Sequence, residues 1–193
     1  MRRAGRKYLP RDEWVALEEA VAAGRSQALL VARDEALVML MLGTGLRVSE
    51  CRDLNVSDID FAKRRVTVRC GKGGKSAVLR ATREALDLVE AYLDFRPQDL
   101  EPESPLFYSR KGNRLSVRAI QEMLAAAGAR SDLGHLHPHM LRHSFGTAVQ
   151  KAQGDIRVTQ TALRHRRVTT TQLYTHVEDS QVDAAVDGLD AER

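Results

Sequence analysis

Two cysteines in 193 residues are too few for a disulfide framework. Cys51 and Cys70 form neither a C-x-x-C pair nor a metal-ligand spacing, which points to a reducing, cytoplasmic compartment. Long apolar runs are missing as well. The longest, residues 36–42, falls far short of the roughly 20 residues a membrane helix needs, and the charged Arg33, Asp34 and Glu35 stand directly before it. The basic start, Met1-Arg2-Arg3-Ala4-Gly5-Arg6-Lys7, holds no apolar segment of the kind a secretory signal carries. Repeats and low-complexity tracts are absent, and so is the G-x-x-x-x-G-K-[ST] pattern of a nucleotide-binding loop. A strong excess of either charge is lacking too. The 30 basic and 26 acidic residues leave a net charge of +4, a mild bias toward a polyanionic partner. With 43% apolar residues, the chain can bury a core as one large domain or two small ones.

Periodicity along the chain predicts a mainly helical α+β fold with a small antiparallel three-stranded sheet at one edge. Residues 10–23 carry Trp14, Leu17 and Val21 at helical spacing, with Gly24 as a stop. Residues 26–42 form a second helix, apolar all round at its end and therefore buried on several sides, and Gly43-Thr44-Gly45 breaks it. Ile59, Val66, Val68, Val78 and Leu79 mark short strands. Residues 65–69 and 76–80 flank a hairpin tip, Gly71-Lys72-Gly73-Gly74-Lys75. Residues 82–96 form a helix capped by Thr82, with Ala85, Leu86, Val89, Tyr92 and Leu93 inward. Pro97, Pro102 and Pro105 punctuate a loop, after which Leu106, Phe107 and Tyr108 enter the core. Residues 116–129 form a helix that turns Val117, Ile120, Met123 and Leu124 inward. Residues 155–165 form another, capped by Asp155. In residues 178–189, Val182, Ala185, Val186 and Leu189 make an amphipathic stripe that packs on its own core or docks on a neighbouring protomer. Residues 1–8 are a basic arm or linker end, either a loose terminus or a strand that lies along DNA phosphates.

Residues 138–177 concentrate the chemistry. Pro138 suits a first helical turn. His139 and Arg142, spaced i, i+3, share a face that the pattern turns outward, with Leu141, Phe145, Ala148 and Val149 opposite. An imidazole and a guanidinium near a helix N-terminus suit a phosphate. His165 follows, then Tyr174 in a threonine-rich segment at residues 169–175, and a tyrosine hydroxyl among cations and imidazoles can attack phosphorus. Earlier, T-G-L-R-V-S-E at residues 44–50 places Arg47 where a glycine turn meets a short helix capped by Ser49 or a neighbour. Glu50 lies one turn on, within reach of the Arg47 side chain. Each motif alone also fits a plainer role: a surface ion pair for Arg47 and Glu50, a solvated turn for Lys72, a half-buried tyrosine for Tyr174.

As an ordered set, the motifs resemble the catalytic domain of the tyrosine recombinases, the lambda-integrase-like family of phage integrases and chromosome-dimer resolvases. T-G-L-R-V-S-E is similar to that family's first arginine motif, and the strand–G-K-G–strand hairpin to its lysine turn. P-H-M-L-R-H-S-F is similar to its H-x-L-R-H box. L-R-H followed by T-T-T-Q-L-Y-T-H-V resembles its last histidine and nucleophilic tyrosine. The resemblance runs from about residue 9 to residue 186. It implies a catalytic domain over residues 9–177 and a tail, 178–193, that docks in trans. It implies that Tyr174 attacks a scissile phosphate to give a 3′-phosphotyrosine link, that Arg47 and Arg142 hold the non-bridging oxygens, that His139 is the general base and Lys72 the general acid, and that His165 hydrogen-bonds the phosphate. Glu50 and His143 would support these groups from behind, and Lys75, Arg164 and Arg166 would contact DNA. The implied partners are double-stranded DNA and further copies of the chain, in a tetrameric synapse, with no membrane, no cofactor and no metal; the implied location is the cytoplasm, at the nucleoid. A type IB topoisomerase-like enzyme and a non-catalytic DNA-binding module are the alternatives. The chain departs from the family pattern at Arg164, where the family has glycine, and in lacking the N-terminal domain that clamps the other face of DNA. Without that clamp, binding should be weak and salt-sensitive.

Overall fold

The structure, a computed structural model, describes residues 6–69, 76–96, 100–164 and 179–190. Helix α2 (Ala28–Thr44) is the axis of the molecule and packs against α1 (Trp14–Ala22), α4 (Arg83–Asp94) and α6 (Pro138–Gln153). Its second half is closed to solvent on every face, through Leu37, Met39, Leu40, Met41 and Leu42, each such side chain contributing about 1.5–3 kcal/mol on burial. Two of the charges that precede this run, Arg33 and Asp34, are buried and paired: the Asp34 carboxylate accepts from Arg33 and from Arg25, both at 2.6 Å.

The helix outruns its predicted end. Gly43 and Thr44 are still helical. A Cβ at Gly43 would stand 2.3 Å from the Thr82 hydroxyl, so this glycine lets the N-terminus of α4 close on α2 instead of breaking the helix. The break is Gly45, at φ +65°, a conformation open to glycine at little cost.

Beyond α3 (Val48–Asp53), three short antiparallel strands, β1 (Ile59–Asp60), β2 (Arg65–Val68) and β3 (Ala77–Arg80), line up in chain order. Val66 pairs with Ile59 on one side and Leu79 on the other. The hairpin tip with Lys72 and Lys75 lies outside the described residues. Leu106 and Phe107 enter the core as predicted, and α5 (Val117–Arg130) begins at a Ser116 cap that accepts from the Ala119 amide at 3.1 Å. α7 (Ile156–Ala162) follows α6, and α8 (Asp179–Gly188) returns over α6, α7 and β3. Its Ala185 and Val186, with Leu189 just beyond it, are buried. Its acidic side faces arginines of the sheet and its turns: Arg65 with Asp183, Arg80 with Asp187, and Arg64 with Asp187 and Asp190. Among the described residues no helix is long and apolar enough to cross a membrane.

Candidate phosphate-binding site

Gly45 sets the first arginine in place. A Cβ there would fall 2.4 Å from the Phe145 ring of α6. The sharp turn it permits brings Arg47, in extended conformation, to the N-cap of α3. Ser49 is not the cap. Arg47 holds the position, and since an arginine side chain cannot accept, the terminus is secured from the other end. The Glu50 carboxylate accepts from the Arg47 amide at 2.7 Å and from the Arg47 guanidinium at 2.8 Å.

The second arginine comes from α6. That helix starts at Pro138, and His137 caps it by accepting the Met140 amide on Nδ1 at 3.3 Å. Burial, then the charges of His135 and His139, push the His137 pKa below its ordinary value. The outward face expected of α6 divides in two. His139 and His143 are exposed, His143 with its ring edge-on to Tyr8 at 5.8 Å. Arg142 instead is buried, only 8% exposed. It turns inward because two main-chain carbonyls left over at chain turns, Gly45 O and Leu163 O, accept from its guanidinium. The side chain thus ties the turn before Arg47 to the end of α7, and among the described residues three of its five N–H groups remain for another acceptor.

The third element is α7, capped by the Asp155 carboxylate, which accepts the Arg157 amide at 2.8 Å. It stops at Ala162, short of the predicted residue 165, because Arg164 adopts φ +51°. From there the Arg164 guanidinium donates to Glu50 at 2.7 Å.

Three guanidiniums, Arg47, Arg142 and Arg164, therefore converge near one carboxylate, leaving two positive charges uncompensated among the described residues. The electrostatics follow. Burial raises the Glu50 pKa, but the Arg47 amide, the Arg164 charge and the two guanidinium hydrogen bonds outweigh it and hold the carboxyl below its usual value. Burial first, and Arg47 second, push Arg142 down to about 10. It stays charged at neutral pH, and the guanidiniums of Arg47 and Arg164 beside it make the pocket favourable to an anion. Cys51, buried beside Glu50, has its thiol pKa pushed up by burial and by that carboxylate, so it is an inert packing residue.

The Arg47–Glu50 pair, Arg142 and Arg164, from three distant segments, are thus brought together. His139 and His143 stand on the exposed surface of α6. Lys72, Lys75, His165, Arg166 and Tyr174 lie outside the described residues. Sequence reasoning missed two features: the His137 cap, signalled only by its place before a helix-opening proline, and the Arg164–Glu50 pair, which no local pattern carries.

Residues 7–181 match the phage integrase family. The tyrosine recombinase XerC of Pseudomonas putida (strain W619) is 40% identical over 164 residues, covering 85% of this chain and 54% of the relative. The chain spans about half the length of the curated relatives it matches. Among solved structures, XerA recombinase superposes with a TM-score of 0.71 at 34% identity, over 92% of this chain and 62% of that one. XerH site-specific recombinase bound to its difH substrate superposes with a TM-score of 0.70, over 84% of this chain and 48% of that one, and at 23% identity this likeness is one of fold.

Proposed function

The chain belongs to the phage integrase family, and on that premise we propose that it cuts and rejoins double-stranded DNA as a tyrosine-type site-specific recombinase. One observation carries the reading: Arg47 and Arg142, from distant segments, meet at a pocket with two positive charges uncompensated among the described residues. A phosphodiester gains a second negative charge as it becomes pentacoordinate, so a rigid cationic pocket stabilises the transition state more than the ground state. The Tyr174 oxygen attacks phosphorus and the bond to the 5′ oxygen breaks, leaving a 3′-phosphotyrosine and a free 5′-hydroxyl. His139 takes the phenol proton, Lys72 supplies one to the departing oxygen, and His165 donates a hydrogen bond to the phosphate. The ordinary pKa values of tyrosine and lysine, about 10 and 10.4, fall wherever cations cluster beside the group. Glu50 and His143 support the site, and Lys75, Arg164 and Arg166 add contacts to the DNA backbone.

The phosphotyrosine retains the energy of the broken bond, so rejoining needs no nucleotide, and the arginines provide the charge stabilisation that a metal would otherwise supply. Residues 9–177 constitute the catalytic domain, preceded by a basic arm at 1–8. The tail, 178–193, packs in cis in the isolated chain and on a neighbouring copy in a tetrameric DNA synapse. The site of action is the cytoplasm, at the nucleoid. The names of relatives such as tyrosine recombinase XerC and XerA recombinase favour site-specific recombination over topoisomerase-like relaxation.

Covalent trapping tests the proposal. Nicked duplexes of randomised sequence are incubated with the protein in EDTA and denatured in SDS, and the protein-linked DNA is sequenced. The expected result is a linked product, enriched for one sequence, that disappears in Tyr174→Phe. Linked DNA without sequence preference would favour a topoisomerase, and a Tyr174→Phe product equal to wild type would overturn the assignment.

A further inference from the structure

Among the described residues the β2–β3 ladder ends where Val68 pairs with Ala77. The next residue, Arg69, is held by its side chain instead. Its Nε donates to Asp58 Oδ1 at 2.8 Å. Its two terminal nitrogens donate to Glu103, at 2.6 and 3.2 Å, and to the Ser57 hydroxyl at 3.0 Å. The Arg69 side chain is half-exposed, and a single ion pair in that setting would stabilise little. Here one guanidinium meets several acceptors, and Asp58 among them is buried, so the arrangement is charge-assisted and directional.

These acceptors belong to a larger network. Asp58 Oδ2 accepts the Asn55 main-chain amide at 2.8 Å, and the Asn55 side-chain amide donates to Glu103 at 2.6 Å. Asn55, also buried, accepts in turn from Arg114. The Arg114 guanidinium donates as well to the carbonyls of Arg52 and Leu54, at 3.0 and 2.8 Å, where α3 ends. The other end of α3 carries Arg47. One continuous set of hydrogen bonds therefore runs from the helix of the first arginine to the stem of the hairpin, and a satisfied network of this kind favours a single geometry. Lys72 follows Arg69 by three residues, a span of at most about 11 Å. The tie stands just ahead of the lysine, where the ladder's own restraint stops. Strand register does not need it, because Val66 is already paired with Ile59 and Leu79.

Building on the recombinase reading above, in which Lys72 protonates the departing 5′ oxygen, we propose that Arg69 is a positioning residue for that proton transfer: anchored on Asp58 and Glu103, it ties the chain leading to Lys72 to the helix that presents Arg47. A general acid acts only within hydrogen-bonding distance of its acceptor. A lysine whose stem is tied to the helix of a phosphate-binding arginine reaches that distance with less conformational freedom to lose.

The test compares two forms of the nicked duplex selected by trapping, one with the ordinary 5′ oxygen at the scissile phosphate and one with sulfur in its place. Sulfur departs as a thiolate and needs no proton, so the sulfur substrate bypasses the general acid. Arg69→Ala should slow covalent adduct formation on the oxygen substrate roughly 10- to 100-fold, part of the roughly 10²–10⁴-fold that a positioned proton donor contributes. On the sulfur substrate it should match wild type. Lys72→Ala should show the same pattern with a larger loss on oxygen. The double variant should be no slower on oxygen than Lys72→Ala, because Arg69 acts only through that lysine. A structural or DNA-contacting role for Arg69 predicts equal slowing on both substrates. That result, an undiminished Arg69→Ala rate on oxygen, or multiplying effects in the double variant overturns this role alone. Equal slowing of Lys72→Ala on both substrates overturns the assignment of Lys72 and this role with it. Absence of any wild-type adduct overturns the recombinase reading as well.

Discussion

The residue that most constrains the site carries no side chain. Gly45 ends α2 at φ +65° with the Phe145 ring where a Cβ would go, and its carbonyl anchors Arg142. Gly45→Ala should destabilise the fold by about 1–3 kcal/mol, read as a shift of the urea midpoint, and should slow adduct formation by displacing Arg47. An unchanged midpoint would mean that α6 yields to the extra atom. Arg47 and Arg142 were legible as motif residues because their neighbours and spacing are distinctive. The burial of Arg142 was not. Helical periodicity sorts residues into faces, and a guanidinium that turns inward to main-chain carbonyls follows partners contributed by other segments.

At the level of elements, helix termini and charge pairs make stability depend on pH. His137 caps α6 as a neutral acceptor, and its pKa lies below the ordinary value through burial and its histidine neighbours. Its contribution is complete above the unfolded histidine pKa of about 6.5 and is lost as pH falls through the lower folded value, because the folded state then bears the charging cost. Asp187 behaves alike in a more acidic range. Burial raises its pKa, but the hydrogen bonds and charges of Arg80 and Arg64 prevail and hold it low. The hold of α8 on the sheet is therefore complete above the ordinary carboxylate pKa and weakens as pH drops through the folded value. Thermal midpoints measured from pH 8 to pH 3 should fall in two stages. His137→Asn, which caps without titrating, should flatten the first stage and leave the second; an unaltered first stage would remove His137 as its origin. The caps at Thr82 and Asp155 were readable locally, since their hydroxyl or carboxylate acts within its own turn. The end of α7 was misread because only a backbone angle, at a residue that ordinarily continues a helix, terminates it.

For the molecule as a whole, α8 is both a core element and a charged clasp. Its apolar stripe covers α6 and α7, and Asp183, Asp187 and Asp190 engage Arg65, Arg80 and Arg64. Such a helix could exchange between copies with little loss, since the receiving surface is identical in each. Removing residues 178–193 should leave the chain able to bind DNA but unable to assemble into higher multimers on it, as followed by native gel mobility on the selected duplex. Unchanged multimerisation would remove the tail from the assembly. Binding itself should weaken steeply with salt, as phosphate contacts release counterions.

The sequence by itself determined the mainly helical α+β class, the placing of the sheet and the family. Those depend on periodicity, turn residues and motif order, all written locally. Tertiary structure alone decided that Arg142 is enclosed, that α2 continues through Gly43 against Thr82, and that Arg164 reaches back to Glu50. Each of these is a contact between segments far apart in the chain. Its energy depends on a partner's position in space, and no window of sequence contains it.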